Sequence, residues 1–207
     1  MLRSIPFFAS LNYALDLIKL SGLSLADSFP RSPHSKMTTN PEELFQYPEL
    51  LKVNAKPGER NSWLIALKHF KAGEIITHLT GTTPTKYSWS SVRYGAGPDD
   101  HIELNSVLLY VNHSCSPNAA FDVSSSDKAD WNFRALRDIQ PGDDLTYFYP
   151  STEWHMDGFQ CWCGEKNCLG WPRGSQALSR EEIVERGRGF INTHISILLD
   201  RRDNQRN

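Results

Sequence analysis

Along the middle of the chain, apolar residues come in short bursts rather than at helical spacing. Ser62–Leu67, Glu74–Leu79, Ser106–Val111, Ala119–Val123, Trp131–Ala135 and Asp144–Tyr149 are each apolar or alternating, and most are rich in β-branched or aromatic side chains. Runs of that length and composition predict strands. Two segments between them look alike: Phe70-Lys71-Ala72-Gly73-Glu74 and Ile139-Gln140-Pro141-Gly142-Asp143. Each puts glycine where a positive φ costs little, then launches a strand. The pattern predicts a mostly β domain.

Both ends of the chain differ from this middle. Leu2–Leu25 is apolar but interrupted by Arg3, Asp16 and Lys19, and Ser28–Ser35 is rich in Ser and Pro. Those charges break the apolar core that a secretory signal needs. The reading is a flexible extension or a translation start at Met37, with an amphipathic targeting helix as the alternative. At the other end, Ser179-Arg180-Glu181-Glu182 has the form of a capping box. Ile183, Val184, Phe190, Ile191, Ile195, Leu198 and Leu199 then share one broad helical face. This predicts one amphipathic helix, weakened at Gly187 and Gly189 by about 1 kcal/mol each relative to Ala, with a polar frayed tail from Arg201. The expected organisation is an extension over 1–40, a main domain over 41–150, a cysteine-bearing segment over 151–174, and the helix with its tail over 175–207.

Composition narrows the function classes. The 207 residues suit one domain with an appendage, and 39% hydrophobic content is enough for a core. Lys+Arg of 22 against Asp+Glu of 24 gives a net charge of −2, with no basic run. Nucleic-acid binding by bulk electrostatics is therefore not expected, since phosphate neutralisation needs a concentrated basic face. No apolar stretch is long enough to span a membrane.

The four cysteines carry the first chemistry. Cys161-Trp162-Cys163-Gly164-Glu165-Lys166-Asn167-Cys168 is a C-x-C-x4-C array. Cys161 and Cys163 stand too close for an easy unstrained disulfide. Three thiolates from one loop suit a soft metal, and Zn²⁺ takes four ligands. One more cysteine exists, Cys115. The simplest count uses all four in one closed structural site; the alternative is a set of free, partly buried thiols. The array has too few apolar side chains to fold alone, so metal binding would supply its folding energy.

Cys115 lies within Asn112-His113-Ser114-Cys115-Ser116-Pro117-Asn118. Taken alone this is a polar turn. Next comes Gly142-Asp143-Asp144-Leu145-Thr146-Tyr147-Phe148-Tyr149, and the cysteine array follows. With the three motifs in this order, the chain resembles the SET-domain family of protein lysine methyltransferases with a post-SET zinc segment, over about Asn54–Pro172. The resemblance implies a mostly β SET fold in which the first two motifs lie together in a pseudoknot, an exception to unknotted connectivity. It implies S-adenosylmethionine as cofactor, contacted by Asn112, His113 and Tyr149, with Leu169 and Trp171 near its adenine. It implies a structural zinc on Cys115, Cys161, Cys163 and Cys168. Tyr149 would be the active-site tyrosine, and Tyr147 would tune how many methyl groups are added. The partner would be a protein carrying a target lysine, histone or not, in the nucleus or cytoplasm.

The chemistry suits these residue types. Methyl transfer to an amine is an in-line displacement, so catalysis is mostly positioning. An apolar aromatic channel disfavours the charged ammonium and helps it lose its proton. Three positions depart from the family pattern. Trp63 stands near an expected glycine of the Gly58–Ala66 stretch, Leu79 replaces a tyrosine, and Leu109 replaces an arginine. The departures define an alternative reading, a catalytically degraded SET fold acting as a protein-interaction module.

Overall fold

The computed structural model describes residues 41–55 and 62–205. The expected N-terminal extension and the Gly58–Asn61 part of the glycine stretch lie outside the described residues. Ten short strands follow in chain order: Leu51–Asn54 (β1), Trp63–Ala66 (β2), Ile75–His78 (β3), Thr83–Thr85 (β4), Val92–Arg93 (β5), His101–Glu103 (β6), Asn112–His113 (β7), Ala119–Asp122 (β8), Asn132–Ala135 (β9) and Thr146–Tyr147 (β10). They form small sheets: β1 with β2, β3-β9-β8, β4-β6-β5, and a parallel pair of β7 with β10. Phe70, Phe121, Phe133, Leu64, Ile102 and Ile139 are among the fully buried side chains of the main core.

The two look-alike turns are partners. Phe70 and Ile139 exchange main-chain hydrogen bonds in both directions, at 3.0 and 2.9 Å. Gly73 and Gly142 take φ of 83° and 91°, a region where only glycine is unstrained. Their positive φ returns each chain segment toward the core.

Three expected elements differ. Ser106–Val111 does not form a strand; Val107–Tyr110 is a 3-10 helix with Val107 and Leu108 buried. An unbroken apolar run has no periodicity to separate strand from helix, and Asn105, at φ 49°, turns the chain just before it. The strand expected through Tyr149 ends at Tyr147, and Tyr149–Ser151 is a 3-10 turn with Pro150 inside it. Tyr147 and Tyr149 are therefore not alternate residues of one strand. The single C-terminal helix is two helices, Arg180–Arg186 (α1) and Thr193–Asn204 (α2). The capping box forms, with Ser179 Oγ accepting from Glu182 N at 3.1 Å and Glu182 Oε2 from Ser179 N at 3.1 Å. The break falls at the expected glycines, where Arg188 and Gly189 both have positive φ.

This break builds a second small core. Ile183 of α1 meets Ile195 and Leu199 of α2, all fully buried, beside Trp154, Leu178 and Ile191. The residues from Arg201, expected to fray, continue the helix. Arg202 Nη1 donates to the carbonyl oxygens of Gln176 and Leu178 at 3.0 and 2.7 Å. Asn192, wholly buried at the start of α2, fastens it to the domain. Its Nδ2 donates to the carbonyls of Phe121 and Ser151, both at 2.9 Å, and its Oδ1 accepts from Val123 N at 3.0 Å. Among the described residues no helix is long and apolar enough to cross a membrane.

Candidate functional site

The parallel pairing of β7 with β10 puts Asn112 opposite Thr146 and His113 opposite Tyr147. Asn118 clamps the junction: its Nδ2 donates to Asp144 O at 2.8 Å and its Oδ1 accepts from Thr146 N at 2.9 Å. Ser114 N donates to Tyr147 O at 3.0 Å. Two motifs far apart in the chain thus meet side by side.

An aromatic group packs against that junction. The Tyr149 ring lies 4.6 Å from Tyr147, 5.1 Å from His113 and 5.9 Å from Phe159, centroid to centroid. His113 and Phe159 meet edge to face at 5.4 Å, and Tyr147 does the same with Phe121 at 4.8 Å. Such edge and tilted contacts favour the ring quadrupoles. Tyr149 Oη donates to Val111 O at 3.5 Å, and Tyr149 N donates to His113 Nδ1 at 3.3 Å. The proton of His113 therefore sits on Nε2, which faces Cys115 Sγ at 3.3 Å. Burial, reinforced by the positive Arg186, pushes the His113 imidazole down to about 4, so it is neutral. Burial holds the Tyr147 phenol well above its ordinary range.

The four cysteines converge next to His113. Their sulfurs all lie within 4.8 Å of one another, and Cys115 and Cys161 are 4.0 Å apart. A tetrahedral site with Zn–S bonds of about 2.3 Å spaces its sulfurs by roughly 3.8 Å, so the donor set fits the ion. The electrostatics agree. Burial raises Cys115 to about 11, against the pull of the Leu169 N–H, and raises Cys161 further. Burial opposes ionising Cys163 as well, but main-chain N–H groups and the neighbouring thiols outweigh it and bring it down to about 7. Ionising all four at neutral pH would need a cation at their centre. Leu169 N and Gly170 N point at Cys115 Sγ and Cys168 Sγ, at 3.4 and 3.3 Å. From α1, Arg186 Nη1 reaches the carbonyls of Cys115 and Asn167 at 3.2 and 2.8 Å. That one guanidinium ties the cysteine loop to the main domain.

The remaining expected residues are spread around this centre. Asn112 is exposed and donates through Nδ2 to Ser62 O at 3.1 Å, beside the glycine stretch. Leu169 is partly buried at the cysteines, whereas Trp171 is half exposed with its indole against Gly158. A Cβ at Gly158 would run into that indole. Trp63 sits half-buried on β2 opposite Asn54, Leu79 is buried in the core, and Leu109 packs partly buried in the 3-10 helix. Phe159, Arg186 and Glu153 were not foreseen. Only the position of Phe159, two residues before Cys161, hinted at a role.

Residues 40–150 match the SET domain family model. The chain belongs to the SET-domain family. The methyltransferase flvH of Aspergillus flavus is 38% identical over 157 residues, covering 74% of this SET protein and 83% of flvH. The histone-lysine N-methyltransferase set9 of Schizosaccharomyces pombe is 34% identical over 110 residues, 48% of this chain and 24% of that protein. A crystal structure of KRYPTONITE in complex with mCHG DNA and SAH aligns with a TM-score of 0.45 at 20% identity, over 58% of this chain and 28% of that one. The SET protein thus spans most of the first relative and about a quarter of the other two. The mostly β SET fold and the methyltransferase class expected from the motifs both hold.

Proposed function

We propose that this SET protein moves a methyl group from S-adenosylmethionine to the side-chain nitrogen of a lysine in a protein substrate. The observation that carries this reading is the junction itself: Asn112–His113 pairs with Thr146–Tyr147, and the rings of His113, Tyr147, Tyr149 and Phe159 pack on one another directly against the cysteine cluster. When bound, S-adenosylmethionine supplies the electrophilic methyl group. Asn112 and His113 hold it through β7, with Leu169 and Trp171 on the adenine side. Tyr149 directs the incoming amine through its hydroxyl, and the surrounding rings favour the neutral amine over the ammonium. Tyr147, buried behind Tyr149, limits the room for methyl groups already in place.

Cys115, Cys161, Cys163 and Cys168 hold one Zn²⁺ as a post-SET site. Four thiolates leave no open position, so the ion is structural. Bound by these thiolates, zinc would supply the link that keeps Leu169 and the rest of the loop beside His113. Histone tails are the first substrates to try, because set9 is named for histone lysine. The interaction-module reading rests on Trp63, Leu79 and Leu109; the aromatic cluster at the junction favours the enzyme. Calorimetric titration of the zinc-replete protein with S-adenosylmethionine separates the two. Saturable one-to-one binding is expected; a folded, zinc-loaded protein that ignores the cofactor would leave the interaction module.

A further inference from the structure

One side chain meets all three motifs and belongs to none of them. Arg186 stands in the last turn of α1, C-terminal to the cysteine array. Its Nη1 donates to Cys115 O of the Asn112–Asn118 motif at 3.2 Å and to Asn167 O of the cysteine loop at 2.8 Å. Its guanidinium carbon lies 5.7 Å from the ring centre of Phe148, the buried residue between Tyr147 and Tyr149 in the chain. The Phe148 ring in turn lies 5.7 Å from that of His113. The rest of α1 holds the arginine in place, through the capping box at Ser179 and through Ile183 in the helical core. Among the described residues Arg186 makes no ion pair, whereas Arg180 and Arg202 at the same end of the chain each reach an aspartate.

We propose that Arg186 is a positioning residue for the cysteine site: from α1 it pins the cysteine loop to the Asn112–Asn118 motif and sets how long zinc stays bound. The inference rests on the zinc reading above. Cys115 carries both a ligand sulfur and the carbonyl that Arg186 holds, and Asn167 directly precedes Cys168. One nitrogen thus fixes a ligand of the main domain and a ligand of the loop through their backbones. Charge favours the same arrangement. Four thiolates around one dication leave two net negative charges, and the N–H groups of Leu169 and Gly170 answer part of them. Arg186 brings a positive charge that no carboxylate has neutralised. Without its bridge the loop can part from Cys115, and the three remaining thiolates leave the ion open to a competing chelator. Such partners around a ligand set govern metal affinity by about 10–100-fold. Phe159, at the start of the same loop, packs on His113 and Tyr149. A loop that parts therefore takes one ring of the aromatic cluster with it.

The test follows zinc release from the full chain to an excess of a chromophoric chelator, in wild type, Arg186→Gln and Arg202→Gln. Arg202 also donates to two carbonyls at the helical end, those of Gln176 and Leu178, so its loss controls for general loosening there. Arg186→Gln should release zinc on the order of tenfold faster, and Arg202→Gln at the wild-type rate. Equal rates in wild type and Arg186→Gln overturn the proposal. So does the same acceleration in both variants, because any loosening of the helices would then suffice. Proton exchange at the wild-type guanidinium needs no variant, and it decides the matter even if Arg186→Gln does not fold. The Arg186 Nη1 protons should be protected in the zinc-loaded protein and lose that protection when the metal is removed. Protons that exchange freely in the loaded protein overturn the proposal. Wild type that carries no zinc would defeat the zinc reading. Amide exchange over residues 161–170 then still judges Arg186: it should be faster in Arg186→Gln alone, and unchanged exchange there refutes the pin.

Discussion

The Tyr149 ring is held by its aromatic neighbours, so loss of its hydroxyl should be felt in rate and not in fold. Tyr149→Phe keeps the contacts to His113, Tyr147 and Phe159. Methyl transfer should drop by a factor on the order of 10², the scale of one lost positioned hydrogen bond, with metal content and melting temperature unchanged. Tyr147→Phe should instead shift the product toward di- and trimethyl-lysine, read by intact mass of a methylated peptide. Buried ionisable groups give a second test at this scale. Glu153 ionises in the fold at about 7 rather than the ordinary 4.5, so the folded state holds the extra proton. Its favourable contribution is full below about pH 4.5 and is lost as pH rises through 7. His194 behaves oppositely. Buried, with Nε2 donating to Thr152 O at 2.8 Å, it protonates only at about 4, so stability is lost as pH falls below 6.5. Each effect is on the order of 3 kcal/mol at its limit. Urea unfolding across pH 4 to 7 should show wild type and Glu153→Gln matching near pH 4 and wild type falling below the variant as pH rises, and the gap between wild type and His194→Gln closing as pH falls. The motif residues Asn112, His113, Tyr147 and Tyr149 were legible because their order along the chain is distinctive. Glu153 and Phe159 were not, because burial of a lone carboxylate and the return of a loop onto a ring leave no local pattern.

At the scale of elements, the two-helix end is where the chain's pattern and its structure part most clearly. The apolar stripe was visible, and Ile183, Ile195 and Leu199 do form a core. Its continuity was not real, because Arg188 and Gly189 both leave helical backbone. Ile195→Ala should cost roughly 2–5 kcal/mol, the usual range for a fully buried aliphatic side chain. Phe190→Asp should cost clearly less, since Phe190 sits half-buried in the break; denaturant melts of both variants give the order. The glycine turns were legible because positive φ leaves a residue signature. The strands β4, β5 and β6 escaped notice because they are very short and carry Arg93, His101 and Glu103, whose burial is granted by local partners such as Ser88 and Ser91 rather than by apolar alternation.

Across the whole molecule, the cysteine cluster joins parts that the chain keeps 46 residues apart. If one ion sits there, Cys115→Ser should lose zinc as completely as Cys163→Ser, measured by metal analysis of purified protein. Retention of one zinc in Cys115→Ser would place the ion in the C-terminal loop alone. Arg186 then links the same loop to α1, so metal loss should also loosen the helical end, seen as faster amide exchange there. The site is thus assembled from β7, β10, the Tyr149 turn, the cysteine loop and α1 together. Methyl transfer to a protein lysine is tested by mass spectrometry of histone and non-histone peptides incubated with zinc-replete protein and S-adenosylmethionine. Methyl addition should be confined to lysine, abolished when that lysine is changed to arginine and much reduced by Tyr149→Phe. Cofactor bound without any methylated peptide, or full activity in Tyr149→Phe, would contradict it.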